Sequence, residues 1–188
     1  MNSLHPLTKP RHPRAAFTLV ELLVVIAIIG VLAALITGLA SRASKSKIVK
    51  RAEAENEALV MAIEVYKSKL GYYPQDNSKD LALPPLYHEL TGVRIPNAYT
   101  NDFGVLGIAN INSDAGTNSV PQNFLSGLKS SQYEQILGKP GAYRLIYAYG
   151  NVPWRYNATN PTNNPGSFDL WVELEIAGKK EIVGNWKN

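Results

Sequence analysis

Hydrophobic and polar positions follow three different rhythms along this chain. From Leu22 to Ala40, nineteen consecutive residues carry no charge, and only Gly30, Thr37 and Gly38 interrupt a Leu, Ile, Val and Ala composition. A run that is apolar on every side of a helix belongs in lipid rather than in water. Counted from Phe17, the 24 residues to Ala40 reach roughly 36 Å at about 1.5 Å per residue, enough to cross a hydrocarbon core of about 30 Å. Beyond Ser41 the pattern turns amphipathic. Ile48, Ala52, Leu59, Ile63, Tyr66 and Leu70 recur at intervals of three, four or seven, while Lys47, Arg51, Glu53, Glu55, Glu57, Glu64 and Lys67 occupy the other faces. Arg51 and Glu55 support the helix as an i,i+4 ion pair, whereas Glu53 and Glu57 at the same spacing repel. Gly71 and Pro74 close it. The pattern predicts one helix from Phe17 to Leu70, transmembrane over 17–40 and amphipathic over 41–71.

Residues 72–188 read as one small globular domain. Leu86 to Thr91 is a short helix stopped by Gly92, and Ser126 to Leu137 suggests another. Residues 110–118 and 157–167, rich in Asn, Ser, Gly, Thr and Pro, are loops, and 93–141 carries no recognisable motif. Strand alternation begins at Ala142 to Tyr149 and is cleanest at Phe168 to Ile176, where Phe168, Leu170, Val172, Leu174 and Ile176 share one face. Ala177-Gly178-Lys179-Lys180 is expected to turn this strand onto a partner from Glu181 to Trp186. The fold class that follows is α+β: a long N-terminal helix packed through its amphipathic half on a small C-terminal antiparallel sheet.

Glu21 is the anomaly of the apolar run. An ionised group near the bilayer interior costs about 2.5 to 3.5 kcal/mol on insertion scales and calls for a partner, and the span offers no cation. A short basic leader, a small residue, then Phe17-Thr18-Leu19-Val20-Glu21 opening a long apolar helix resembles the processing site of the type IV pilin and type II secretion pseudopilin superfamily. Ala16 stands where that family usually has Gly. The resemblance implies that a prepilin peptidase cuts between Ala16 and Phe17, that residues 1–16 are the leader, and that Phe17 is N-methylated. The new amino group lies four residues from Glu21, so Phe17 of one subunit can neutralise Glu21 of its neighbour in an assembly. Gly71-Tyr72-Tyr73-Pro74 is similar to the corresponding segment of major pseudopilins. The resemblance therefore implies a pilin-like fold, a homopolymeric filament, and an inner-membrane, single-pass protein with its C-terminal domain in the periplasm. Its implied partners are the prepilin peptidase, other pseudopilins and the inner-membrane secretion platform. A type IV pilin of a surface filament is the alternative.

Charge sharpens this picture. Lys9, Arg11 and Arg14 lie in the leader with no acid beside them, so the formal charge of +4 falls to +1 without residues 1–16, which argues against nucleic acid as a partner. The chain has no cysteine, hence no disulfide and no thiolate metal site. No Ser/His/Asp set, phosphate-binding glycine loop or metal spacing is present, so no enzyme activity is expected. His88, the one histidine beyond the leader, is expected at the surface or half-buried. Asp169, Glu173, Glu175 and Glu181 are candidate calcium ligands, since Ca²⁺ takes six to eight oxygens. The pseudopilin resemblance, through Phe168-Asp169-Leu170-Trp171 and Gly184-Asn185-Trp186, implies a calcium loop nearby, although Lys179 and Lys180 repel a divalent ion. No other cofactor is expected.

Overall fold

The computed structural model of the protein describes residues 17–110 and 120–186, and within them no side chains over 35–43. The leader with Ala16, and most of the loop expected at 110–118, lie outside the described residues. The chain divides into two compact units, residues 1–44 and 45–188. α1 spans Leu19–Leu70 and so contributes to both.

In the first unit every described side chain from Leu19 to Ala34 is exposed. Among the described residues no helix is long and apolar enough to cross a membrane. The described part of the apolar run stops at Ala34, and the side chains expected to complete the span, 35–40, lie outside it.

The second unit is built on the amphipathic half of α1. Ala52, Asn56, Leu59, Ala62, Ile63 and Tyr66 are buried, at the spacing that keeps one helical face turned inward. Asn56 fills the seven-residue gap between Ala52 and Leu59, and its Nδ2 donates to the Leu170 carbonyl at 3.2 Å, so a polar side chain in the stripe is satisfied by the sheet. The helix ends where Gly71 takes φ 86° and its N–H reaches the Lys67 carbonyl at 2.7 Å. Lys67 and Lys69 in the last turn complement the helix dipole.

α2, Leu86–Thr91, closes on Gly92 in the left-handed conformation. The region without a recognisable motif contains a 3₁₀ helix, Asn97–Phe103, whose Phe103 packs with Ile95, Val105 and Ala142 in a small second core. The short helix expected over 126–137 is not formed. A single 3₁₀ turn, Ser130–Gln132, leads instead into β1, Tyr133–Gln135, because Tyr133 and Gln135 pair with Leu145 and Tyr143.

Among the described residues six strands form two antiparallel three-stranded sheets, each in sequential order. The first holds β1, β2 (Tyr143–Tyr147) and β3 (Val152–Pro153); the second holds β4 (Arg155–Asn157), β5 (Asp169–Ile176) and β6 (Lys179–Gly184). One expected hairpin is thus the centre of a larger arrangement. Trp154, 2% exposed, is the single residue between the sheets, and its N–H donates to the Leu145 carbonyl at 3.1 Å. Leu170, Val172, Leu174 and Ile176 turn inward as the alternation predicts. The turn is tighter than expected: Ala177 and Gly178 alone occupy it, with φ 53° and 72°, and Lys179 and Lys180 already pair with Ile176 and Glu175. Two successive positive φ values define a primed hairpin turn, whose twist matches the strands it joins.

Leu174 is 2% exposed and packs in the main core. Leu174→Ala is expected to lower stability by about 2–5 kcal/mol, as large-to-small core changes do. Chemical denaturation of the full chain measures it; a loss under about 0.5 kcal/mol contradicts this packing.

Candidate processing and assembly site

Phe17 and Thr18 precede α1, and Phe17 is 80% exposed. Thr18 is the N-cap of the helix and Glu21 its third residue. The Glu21 N–H donates to Thr18 Oγ1 at 3.2 Å, and Glu21 Oε2 accepts from the Thr18 N–H at 3.0 Å and from its hydroxyl at 3.0 Å. This is a capping box, in which two side chains satisfy backbone donors that have no partner within the helix. Glu21, read from sequence as a carboxylate with no cation in its own span, thus has a neutral hydrogen-bond partner in Thr18. The Thr-x-x-Glu spacing before an apolar run was the signal for it. Among the described residues no hydrogen bond reaches the other oxygen, Oε1, so the carboxylate can start the helix and still meet a cation. Phe17 lies four residues before it in sequence; Ala16, the other side of the expected cut, is outside the described residues.

The four acidic residues proposed as calcium ligands are not brought together. Asp169 is 1% exposed, and its two oxygens accept from the Thr162 N–H at 2.8 Å, the Asn163 N–H at 2.9 Å and the Asn164 N–H at 2.9 Å. The Thr162 hydroxyl and both Asn amides add contacts at 3.1–3.3 Å. Donors from its own loop surround this carboxylate where a cation would sit. Burial pushes the Asp169 carboxyl up, but these hydrogen bonds outweigh it and hold the group below the usual carboxylate range. Glu173, four residues along the strand and so about 13 Å away, pairs with Lys180 at 2.8 Å and Arg155 at 3.6 Å, the lysine chiefly holding its carboxyl down. Glu175 is exposed opposite Lys180, and Glu181 pairs with Lys45. Among the described residues no group of three or more His, Asp or Glu side chains is placed to hold a metal ion.

Two polar groups are buried that the sequence reading misplaced or passed over. His88 is fully buried rather than at the surface: its Nδ1–H donates to the Val93 carbonyl at 2.8 Å, and Nε2 accepts from the Tyr143 N–H at 3.0 Å. Burial lowers its pKa, partly offset by the Val93 carbonyl, so the neutral ring persists. Glu89, also fully buried, accepts from Tyr66 Oη at 2.8 Å, Gln75 Nε2 at 2.8 Å, the Ala109 N–H at 2.8 Å and the Asn110 N–H at 3.0 Å. Burial pushes the Glu89 carboxyl up against the opposing pull of these four donors. Neither residue borders a group that attacks or transfers anything. Both are structural joints.

Residues 11–37 match the family model described as the prokaryotic N-terminal methylation motif. The chain carries the signature of type IV pilin-like, prepilin-type proteins, a class of structural subunits rather than of enzymes. The motif implies processing by prepilin peptidase and assembly into a pilin-type polymer, and the α+β architecture is consistent with a pilin-like fold. No curated protein and no solved structure matches the chain.

Because Asp169 has a depressed folded-state pKa, the stability it contributes is present above its unfolded pKa of about 3.9 and is lost as pH falls through the lower folded value. Asp169→Asn is therefore expected to be less stable than wild type at pH 7, with the gap narrowing as acid is added below about pH 3.9. Paired denaturation series across pH 2 to 7 test this; a gap independent of pH removes the role assigned to the charge.

Proposed function

We propose that this protein is a pseudopilin: made as a prepilin, cut after Ala16, methylated on Phe17, held in the inner membrane by residues 17–40, and then polymerised into a periplasmic filament that drives type II protein secretion. The observation that carries the reading is the methylation motif over 11–37 coinciding with a capped helix start at Thr18 and Glu21. In the assembly Glu21 accepts the new amino terminus of an adjacent copy. That exchange neutralises both charges where water is scarce.

Gly71-Tyr72-Tyr73-Pro74 favours the pseudopilin over a surface pilin, and here it is a joint of the domain. Tyr72 Oη donates to the Ala109 carbonyl at 2.6 Å, Tyr73 Oη meets Ser167 Oγ at 3.1 Å, and the Pro74 carbonyl accepts from Tyr156 Oη at 3.1 Å. The absence of cysteine from the whole chain points the same way, since many surface pilins carry a C-terminal pair. Filaments on the cell surface, seen by electron microscopy, favour the pilin instead.

Mass spectrometry of protein from native membranes is expected to give methylated Phe17 as the first residue. Finding Met1 or Ser41 there overturns the reading. Glu21→Ala is expected to insert and be cut normally yet give at least tenfold fewer filaments; normal filament yield from that variant refutes the pairing of Glu21 with the amino terminus.

A further inference from the structure

The exposed side of α1 beyond Lys45 is banded along the helix. Lys47 and Lys50 form a basic turn, Glu53 and Glu57 an acidic one, and Met61, 65% exposed, begins an apolar one. Elsewhere on this half of the helix charges are used internally: Lys45 pairs with Glu181, and Arg51 with Glu55 at 3.3 Å. Among the described residues no ion pair or side-chain hydrogen bond engages Lys47, Lys50, Glu53 or Glu57. Glu53 and Glu57 also repel each other at i,i+4, a cost the isolated subunit carries without return. Beside them runs a groove of about 520 Å³, lined by Glu57, Val60 and Met61 from the helix and by Asn185 and Trp186 from the end of the chain. Its chemistry suits a lysine: carboxylates at the rim for the ammonium, and thioether, methyl and indole surfaces for the aliphatic stem.

We propose that this acidic groove receives the basic turn of a second copy of this chain, Lys47 and Lys50 of one subunit lying against Glu53, Glu57 and Trp186 of the next. The proposal rests on the filament reading above and names the contact surface outside the amino-terminal site. Charge complementarity sets its geometry. Lys47 and Lys50 precede Glu53 and Glu57 by six and seven residues, so parallel copies displaced by that much bring basic against acidic, an axial step of about 10 Å. Donor and acceptor patches are different surfaces of the same subunit, so the contact is heterologous and leaves a free groove at one end and a free basic turn at the other. Such a contact propagates rather than closing as a dimer. Glu53 and Glu57, mutually repulsive in one subunit, are both neutralised in the polymer.

The absence of native cysteine makes a direct test available. The full-length double variant K50C/E57C, oxidised in membranes where wild type forms filaments, is expected to give a ladder of disulfide-linked oligomers, while K50C and E57C alone give none. Independently, K47E/K50E and E53K/E57K should each reduce filament yield at least tenfold with unchanged melting, all four side chains being exposed. Combining the four reversals should restore filaments, and so should co-expressing the two defective variants. Filaments without a ladder, or a fourfold reversal no better than its parts, overturn this contact while leaving the filament reading intact. Failure of wild type to polymerise at all overturns both.

Discussion

A buried carboxylate on α2, reached by the loops around it, is the constraint on which the second unit depends. Glu89 takes donors from four places: Tyr66 on α1, Gln75 after the helix stop, and the backbone at Ala109 and Asn110. Asn110 passes the connection on, its side chain bonding the Glu89 carbonyl at 2.7 Å, the Gln122 carbonyl at 2.5 Å and the Gln122 N–H at 3.0 Å. Stretches with neither helix nor ladder cannot pair their backbone groups with each other, and burying those groups unpaired costs about 1–3 kcal/mol apiece. A side chain with several acceptor positions replaces the missing ladder. The same device recurs at Asp169, which gathers Thr162 to Asn164, and at Asp76, whose carboxylate takes the Ala158 and Thr159 N–H groups at 2.7 and 2.6 Å. Asn77 does so with an amide, donating to the Leu83 and Asp102 carbonyls at 3.1 and 2.9 Å. The loops are therefore fixed parts of the domain.

Residues read by periodicity were found where repetition expresses burial: α1 from its apolar stripe, α2 from Leu86 to Thr91, β5 from its alternation. The failures share one cause. His88 and Glu89 are polar, and polar side chains in a short helix suggest a wet face; yet Leu86 to Leu90 are all buried, because β2 at Tyr143, α1 at Tyr66 and the backbone at Val93, Ala109 and Asn110 all close on the helix. Nothing local to the sequence announces that covering. Two other features had signals that went unused. Asn56 stands four residues after Ala52 and three before Leu59, inside the stripe, so its burial followed from spacing alone. Thr18 and Glu21 have the capping-box interval, obscured because a carboxylate beside an apolar run reads first as a charge needing a cation. Lys179 and Lys180 looked like turn residues and are strand residues on the open edge of β6, where cationic side chains discourage pairing with another chain's edge. Of the candidate site, the structure shows Glu21 capping the helix start with Thr18, while the processing and assembly roles expected of Phe17 and Glu21 belong to the proposed reading. The calcium set was not a set, since four carboxylates near one another in sequence are spread along two strands about 3.3 Å per residue.

The two units face different solvation problems, and on the proposed reading one event solves both. Leu19, Leu22 and Ile26 are 80%, 61% and 60% exposed, a surface that needs either lipid or the same surface of neighbouring copies. Lipid tails are as apolar as leucine side chains, so passing from membrane to helical bundle gains little from hydrophobicity itself. Whatever favours the polymer must therefore come from groups that lipid serves badly. Glu21 is one, its Oε1 unmatched by Thr18; the acidic and basic turns of α1 are another, each without an ion pair among the described residues. Polar contacts also carry direction, which apolar packing between identical helices does not: sliding one rod past another by a turn changes the buried area little, while it places charges against partners or against like charges. On the proposed reading, a helix whose exposed Lys47, Lys50, Glu53 and Glu57 make no ion pair among the described residues is stored in a membrane without specific partners, and in the polymer those few charges fix the register.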